Sequence, residues 1–247
     1  MEITFLGTNG WFDNKNGSTI CTLVETSKEY IILDAGFGLY KVKNYIIKNK
    51  PVYLFISHTH IDHICGLHGL SGLRLKRGLT IICSKVSKDN ITKIISKPFT
   101  VPLKNYKFPI KYKVVKPGNY ILPFNFEVTA LKHIVPTLGI KIKDNNKVVV
   151  YCCDTAPCLN EIKLAQNADI LIHECGLLPN DKDFRWGHTS PEQASKVAIS
   201  SKVKKLFLTH FDAGQYATKD KFGLALKTAR KFFPKTFLAK NDKKIKI

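Results

Sequence analysis

Short apolar runs rich in β-branched residues recur along the chain, at residues 3–6, 19–24, 30–33, 52–56, 79–83, 126–131, 148–151, 170–172 and 206–208. Their length and composition suit buried strands; helices need a longer amphipathic repeat. Helical patterns lie between some of them, around residues 39–48, 65–73, 88–95, 190–200 and 222–233. Ser190-Pro191 supplies an N-cap followed by proline at the first helical position. Strands with intervening helices predict an α/β fold, two packed sheets with helices outside. Nothing with a 20–50-residue repeat and no Gly/Ser- or Pro-rich linker divides the chain, so one domain spanning residues 1–247 is expected.

The residues that follow the strands narrow the picture. Six apolar runs each end in a histidine or a carboxylate: Asp34, His58, His133, Asp154, Glu174 and His210. Loops held on a rigid scaffold are where sites are usually built, and six such ends predict one convergent site.

Composition adds boundaries. The 247 residues are 44% hydrophobic and 11% aromatic, which excludes disordered and low-complexity classes. Apolar stretches fall short of a membrane span and Met1-Glu2 leads straight into a strand, so a soluble, cytoplasmic protein with no membrane partner is expected. The balance of 39 Lys+Arg against 19 Asp+Glu gives a formal charge of +20, which favours nucleic acid or another polyanion as partner. Only four of those cations are arginine (Arg74, Arg77, Arg185, Arg230), the residue best suited to bidentate phosphate contacts. A general bias towards lysine, isoleucine and asparagine gives the same charge without a partner. The seven cysteines form no regular framework and read as reduced, mostly buried thiols with no chemistry assigned.

Ser57-His58-Thr59-His60-Ile61-Asp62-His63 places three imidazoles and a carboxylate within six residues. These are the ligands that borderline divalent metals prefer, and a strand-to-helix turn can fan them towards two neighbouring ions.

The run His58-x-His60-x-Asp62-His63 resembles the signature of the metallo-β-lactamase-fold hydrolases. His133, Asp154 in Tyr151-Cys152-Cys153-Asp154-Thr155 and His210 in Leu208-Thr209-His210-Phe211 match the later motifs in order and kind. The resemblance starts at Thr4-Phe5-Leu6-Gly7-Thr8 and spans essentially the whole chain. It implies a four-layered αβ/βα sandwich holding two divalent ions, Zn²⁺ foremost, with Mn²⁺ or Fe²⁺ as alternatives. His58, His60 and His133 would hold one ion, Asp62, His63 and His210 the other, with Asp154 bridging. A shared hydroxide would be the nucleophile. Asp62 is also counted among the catalytic groups, and Asp34 would fix a ligand imidazole. His60 stands where the oxygen-reducing relatives have Glu, so hydrolysis is implied and redox chemistry is not.

Asp169-Ile170-Leu171-Ile172-His173-Glu174-Cys175 and Gly187-His188-Thr189-Ser190 resemble paired motifs of the ribonuclease Z-like branch, as does Asp154-Thr155-x-Pro157-Cys158. By that analogy His188, oriented by Glu174, contacts the scissile phosphate or protonates the leaving oxygen. His68 could approach substrate, and His173 is expected in the core. Two departures set this chain apart. Only 20 residues separate His133 from Asp154, too few for the long arm with which many ribonuclease Z enzymes grip tRNA. Gly36-Phe37-Gly38-Leu39 replaces a characteristic glycine-rich run. The expectation is a phosphodiesterase acting on RNA or on a cyclic or small phosphodiester, with a homodimer by family analogy. The alternatives are a carboxylic ester, thioester or lactone hydrolase on the same site, and a nucleic-acid-binding protein with vestigial activity.

Overall fold

A computed structural model describes residues 1–121 and 123–247, which form two compact units. The first comprises Met1–Gly7, Gly17–Val115 and Lys240–Ile247; the second comprises Thr8–Asn16 and Lys116–Ala239.

The first unit is built on a seven-stranded sheet in the order Lys244–Lys246, Glu2–Gly7, Cys21–Glu25, Tyr30–Leu33, Val52–Phe55, Leu79–Cys83, Ile110–Val114. The first four are antiparallel neighbours, and from Tyr30–Leu33 onwards the pairing is parallel. Tyr30–Leu33 is buried throughout, as a strand covered on both faces must be. Ser84 caps the helix Lys85–Ile94 by accepting from the Ser87 amide, and Ile91 anchors it in the core.

Two helices expected here are 3₁₀ segments instead, Phe37–Asn44 and Cys65–Gly72. Their glycines are responsible. Gly66, Gly69 and Gly72 weaken any α-helix. A Cβ on Gly66 would lie 2.2 Å from the Gly36 carbonyl oxygen, so close backbone approach decides the local geometry. The strand expected at 19–24 begins at Cys21, because Thr19 is spent on the loop: its hydroxyl accepts from the Phe37 amide. Lysine-bearing edge strands, Ile110–Val114 and Lys244–Lys246, were not expected from the apolar pattern.

The second unit holds a second seven-stranded sheet in the order Thr236–Leu238, Lys205–Thr209, Ile170–Glu174, Lys147–Cys152, Thr137–Asp144, Asn125–Leu131, Gly118–Tyr120. Helices Leu159–Leu164, Pro191–Ser200 and Lys219–Phe232 cover it, burying Leu164, Ala194, Val197, Ala198, Ala225 and Ala229 with sheet residues such as Val150, Leu171, Leu206 and Leu208. Ser190 is the N-cap with Pro191 at the start of the helix, as the sequence predicts, and Gln193 completes a capping box with it. Strands Thr137–Asp144 and Lys147–Cys152 are an antiparallel hairpin closed by Asn145 and Asn146 at φ 47° and 59°. This is the two-residue turn for which asparagine is suited, and it fills the interval between His133 and Asp154 without an arm. A two-stranded ladder pairs Asn9–Gly10 with Phe211–Asp212.

Candidate metal centre

In the first unit, the motif turn runs from strand Val52–Phe55 into a short helix, Ile61–Ile64, with His60 at the N-cap. Asp34, fully buried at the end of strand Tyr30–Leu33, organises it. Its Oδ1 accepts from the Ser57 amide at 2.8 Å and its Oδ2 from the Ser57 hydroxyl at 2.8 Å and from His63 Nδ1 at 2.9 Å. With its hydroxyl hydrogen committed to Asp34, Ser57 Oγ accepts from His58 Nδ1 at 3.1 Å. One carboxylate therefore sets two imidazoles, His63 directly and His58 through Ser57. Both carry hydrogen on Nδ1 and present Nε2 as the donor to a metal. The ring centroids of His60 and His63 lie 4.5 and 4.1 Å from that of His58, and Asp62 Oδ2 lies 3.6 Å from His63 Nε2. The loop fits only because position 36 is glycine, where a Cβ would be 2.5 Å from the Asp62 carbonyl oxygen.

In the second unit, Asp154 is 2% exposed and its two oxygens face different imidazoles: Oδ1 lies 3.1 Å from His210 Nε2 and Oδ2 3.6 Å from His133 Nε2. His133 Nδ1 donates to the Gly187 carbonyl at 3.1 Å, so Nε2 is the ring nitrogen that could bind a metal. Asp154 and His210 both adopt left-handed backbone, φ 55° and 52°, as does Asp34 in the first unit at φ 56°. Such backbone outside glycine is uncommon and clusters at functional positions.

Glu174, fully buried, accepts from the Thr155 amide at 3.1 Å, the Gly176 amide at 2.7 Å and His188 Nδ1 at 3.0 Å. Three donors fix the carboxylate in place, and one of them is the His188 ring. That ring stacks on His210 at 5.8 Å and meets His133 edge-on at 5.4 Å, with a quarter of the side chain exposed. Six strand-end residues thus lie where the sequence places them. Asp34 and His58 belong to the first unit, the other four to the second.

His173 is a core residue: fully buried, with Nε2 2.8 Å from Glu161 Oε2 and Nδ1 2.8 Å from the Glu174 carbonyl oxygen. Burial alone pushes its pKa down, but Glu161 and the carbonyl outweigh that and raise it. His68 is exposed, its Nδ1 on the Cys65 carbonyl and its ring edge-on to Phe37. All seven cysteines are free. Burial raises the pKa of Cys21, Cys152 and Cys175, and that of Cys83 to about 12, so these thiols stay protonated. Cys153 is the exception to the expectation of inert cysteines. Its Sγ lies 3.4 Å from Asp154 Oδ1, and its ligand atom, with those of Asp154 and His210, falls within a 4.8 Å span suited to a metal. Sequence reading missed it because it sits outside any cysteine spacing pattern.

Two glycines press backbone against the imidazoles of His210 and His133. A Cβ on Gly10 would lie 2.5 Å from His210 Cε1, and one on Gly187, at φ 74°, would lie 2.6 Å from His133 Nδ1. Each adjoins an exposed tryptophan, Trp11 (71%) and Trp186 (62%). Trp11 itself has φ 72°.

The donor set fits divalent metal: imidazoles locked with Nε2 outward, and a carboxylate whose two oxygens serve two imidazoles. Comparison with known proteins agrees. The family model described as "Beta-lactamase superfamily domain" matches residues 29–211. A ribonuclease Z of Lactobacillus gasseri is 28% identical over 303 aligned residues, covering 98% of this chain and 97% of the relative. That alignment is longer than the chain, so the relative carries segments this one lacks. Among solved structures, the metallo-β-lactamase fold protein YhfI of Bacillus subtilis matches with TM-score 0.82 at 23% identity, over 99% of each chain. The short form of human tRNase Z matches with TM-score 0.79 at 22% identity, over 100% of this chain and 99% of the other. These likenesses show the fold expected from the motifs, an α/β sandwich of the metallo-β-lactamase type.

Proposed function

The chain belongs to the β-lactamase superfamily, and on that premise we propose that it is a zinc-loaded phosphodiesterase of the ribonuclease Z-like type, acting on RNA or a small phosphodiester. Family and donor chemistry make it a metal-dependent hydrolase; the ion, the ligand assignment and the substrate are our reading. We take both units together as one hydrolase domain, cytoplasmic and homodimeric.

The observation that carries the reading is Asp154, whose Oδ1 and Oδ2 face His210 and His133 separately. A carboxylate so placed would serve two ions. The proposed sets are His58, His60 and His133 for one, Asp62, His63 and His210 for the other, with Asp154 shared. Imidazole and carboxylate donors with one thiol nearby favour zinc. When bound, two such ions supply a water of lowered pKa and neutralise charge on the phosphate.

The protein's own groups do the rest. Asp34 and Ser57 hold His63 and His58 in the tautomer that binds metal. His188, held through Nδ1 by Glu174, turns Nε2 to the substrate. There it hydrogen-bonds a phosphate oxygen or gives its proton to the leaving oxygen, and the buried carboxylate stabilises the imidazolium before transfer. The hairpin turn at Asn145 and Asn146 supports a short RNA or small diester over a tRNA-sized substrate.

The test is one hydrolysis panel on zinc-loaded protein: an aryl phosphodiester, 2′,3′- and 3′,5′-cyclic nucleotides, a tRNA precursor and a thioester. His188→Ala should cost ~10²–10⁴-fold on phosphodiesters and little on the thioester. Turnover of the thioester alone would instead favour the ester hydrolase, and RNA binding without any hydrolysis a vestigial site.

A further inference from the structure

We infer that Trp11 and Trp186 are stacking platforms for the bases on either side of the cleaved phosphate, which makes the substrate a single-stranded oligonucleotide. The inference rests on the phosphodiesterase reading and narrows it.

Tryptophan is the largest apolar side chain and is highly buried on average. This chain has two, and neither is in a core: they are 71% and 62% exposed. Both belong to the second unit, and each follows or precedes the glycine that rests on a ligand imidazole. Gly10 lies against His210 and leads into Trp11; Trp186 leads into Gly187, which lies against His133. Asp154 joins those same two imidazoles. The tryptophans therefore flank the proposed cleavage point, one beside each imidazole.

Their backbones are fixed. Trp11 is held at φ 72°, a conformation rare for a bulky residue, by the Gly10–Asp212 ladder pairing and by Asn9 Nδ2 donating to the Phe12 carbonyl at 3.4 Å. Its ring is braced by Phe12 at 5.6 Å. Trp186 ends a 3₁₀ turn whose N-cap, Asp183, accepts from the Arg185 amide. Lys15 is exposed four residues beyond Trp11, and the carbonyl oxygen of exposed Lys132 lies 3.2 Å from where a Cβ on Gly187, next to Trp186, would stand. Exposed aromatic side chains on a held backbone beside lysines are what single-stranded nucleic acids stack and track on. A cyclic mononucleotide, with one base, would use one platform.

Because these are the only tryptophans, emission excited at a wavelength that tyrosine does not absorb reports on them alone. Zinc-loaded protein is titrated with a phosphorothioate tetraadenylate and with an abasic tetramer of the same backbone, both carrying a terminal dye for polarisation. The adenylate should quench tryptophan emission and the abasic tetramer should not. Trp11→Ala and Trp186→Ala should each raise KM for a cleavable tetranucleotide about tenfold, with a smaller change in kcat and in KM for methyl 4-nitrophenyl phosphate. Phenylalanine at either position should restore most of the loss. Binding seen by polarisation with emission unmoved, equal quenching by the abasic tetramer, or unaltered tetranucleotide KM in both alanine variants overturns the inference and leaves the phosphodiesterase reading standing. Failure of zinc-loaded wild-type protein to cleave any phosphodiester overturns that reading, and this inference with it.

Discussion

Two buried carboxylates that stand outside the proposed ligand sets, Asp34 and Glu174, decide what the histidines beside them can do. Asp34 orients His63 at 2.9 Å and, through Ser57, His58. Asp34→Ala should weaken zinc binding ~10–100-fold, read by competition with a chromophoric chelator. Ser57→Ala breaks only the His58 branch and should weaken it less. Glu174 is surrounded by three donors. Glu174→Gln brings an NH₂ group against one of them and removes the charge behind His188. Its kcat on phosphodiesters should fall by ~10²-fold or more, with bound zinc unchanged. Loss of zinc in Glu174→Gln would mean the carboxylate ligates. The His58–His63 cluster was legible in the sequence because its spacing carries the chemistry, His133, Asp154 and His210 through their place after apolar runs and the family resemblance, and His188 through that resemblance alone. Ser57 and Cys153 were not, because their parts depend on which atoms they meet.

At the scale of elements, strand ends position the site. Asp34, Asp154 and His210 each turn the chain through left-handed backbone directly after a strand or one residue beyond it, which aims the side chain out of the sheet's end. Runs of buried β-branched residues made those strands readable. Edge strands such as Ile110–Val114 and the hairpin strand Thr137–Asp144 were hidden by their alternating lysines. Lys141 in the latter is only 8% exposed and reaches Glu127 at 3.4 Å, so a buried strand carries a charge that the apolar pattern excludes. The two segments read as α-helices at 39–48 and 65–73 failed for a different reason, glycine contacts between backbones.

The His173–Glu161 pair ties strand Ile170–Glu174 to helix Leu159–Leu164. The folded protein raises the His173 pKa above its ordinary 6.5, so the folded form holds a proton that the unfolded chain releases. The stabilisation is complete below pH 6.5 and fades as pH rises through the raised value. Urea midpoints of wild-type and His173→Gln protein should therefore converge as pH increases above 6.5. A gap that stays constant with pH would show that the pair does not titrate.

For the whole molecule, the formal charge of +20 is partly accounted for without a partner. Both edges of the first sheet carry lysines, Lys111 and Lys113 on one and Lys244 and Lys246 on the other. Charged edge strands resist pairing with other chains. Replacing Lys111 and Lys113 together by threonine should increase light scattering on warming, with hydrolysis of a small diester unaffected. The remaining lysines would steer a polyanion, so KM for a tetranucleotide should rise with salt more steeply than KM for methyl 4-nitrophenyl phosphate. Among the described residues no helix is long and apolar enough to cross a membrane. Charge thus bears on which phosphodiester is used, while the reaction rests on the histidines and carboxylates. The most direct test of that claim measures bound metal and aryl phosphodiester turnover together in wild-type and Asp154→Ala protein. Two zinc ions per chain and turnover are expected in the wild type, and loss of both in the variant. Full turnover by metal-stripped Asp154→Ala protein would contradict the claim.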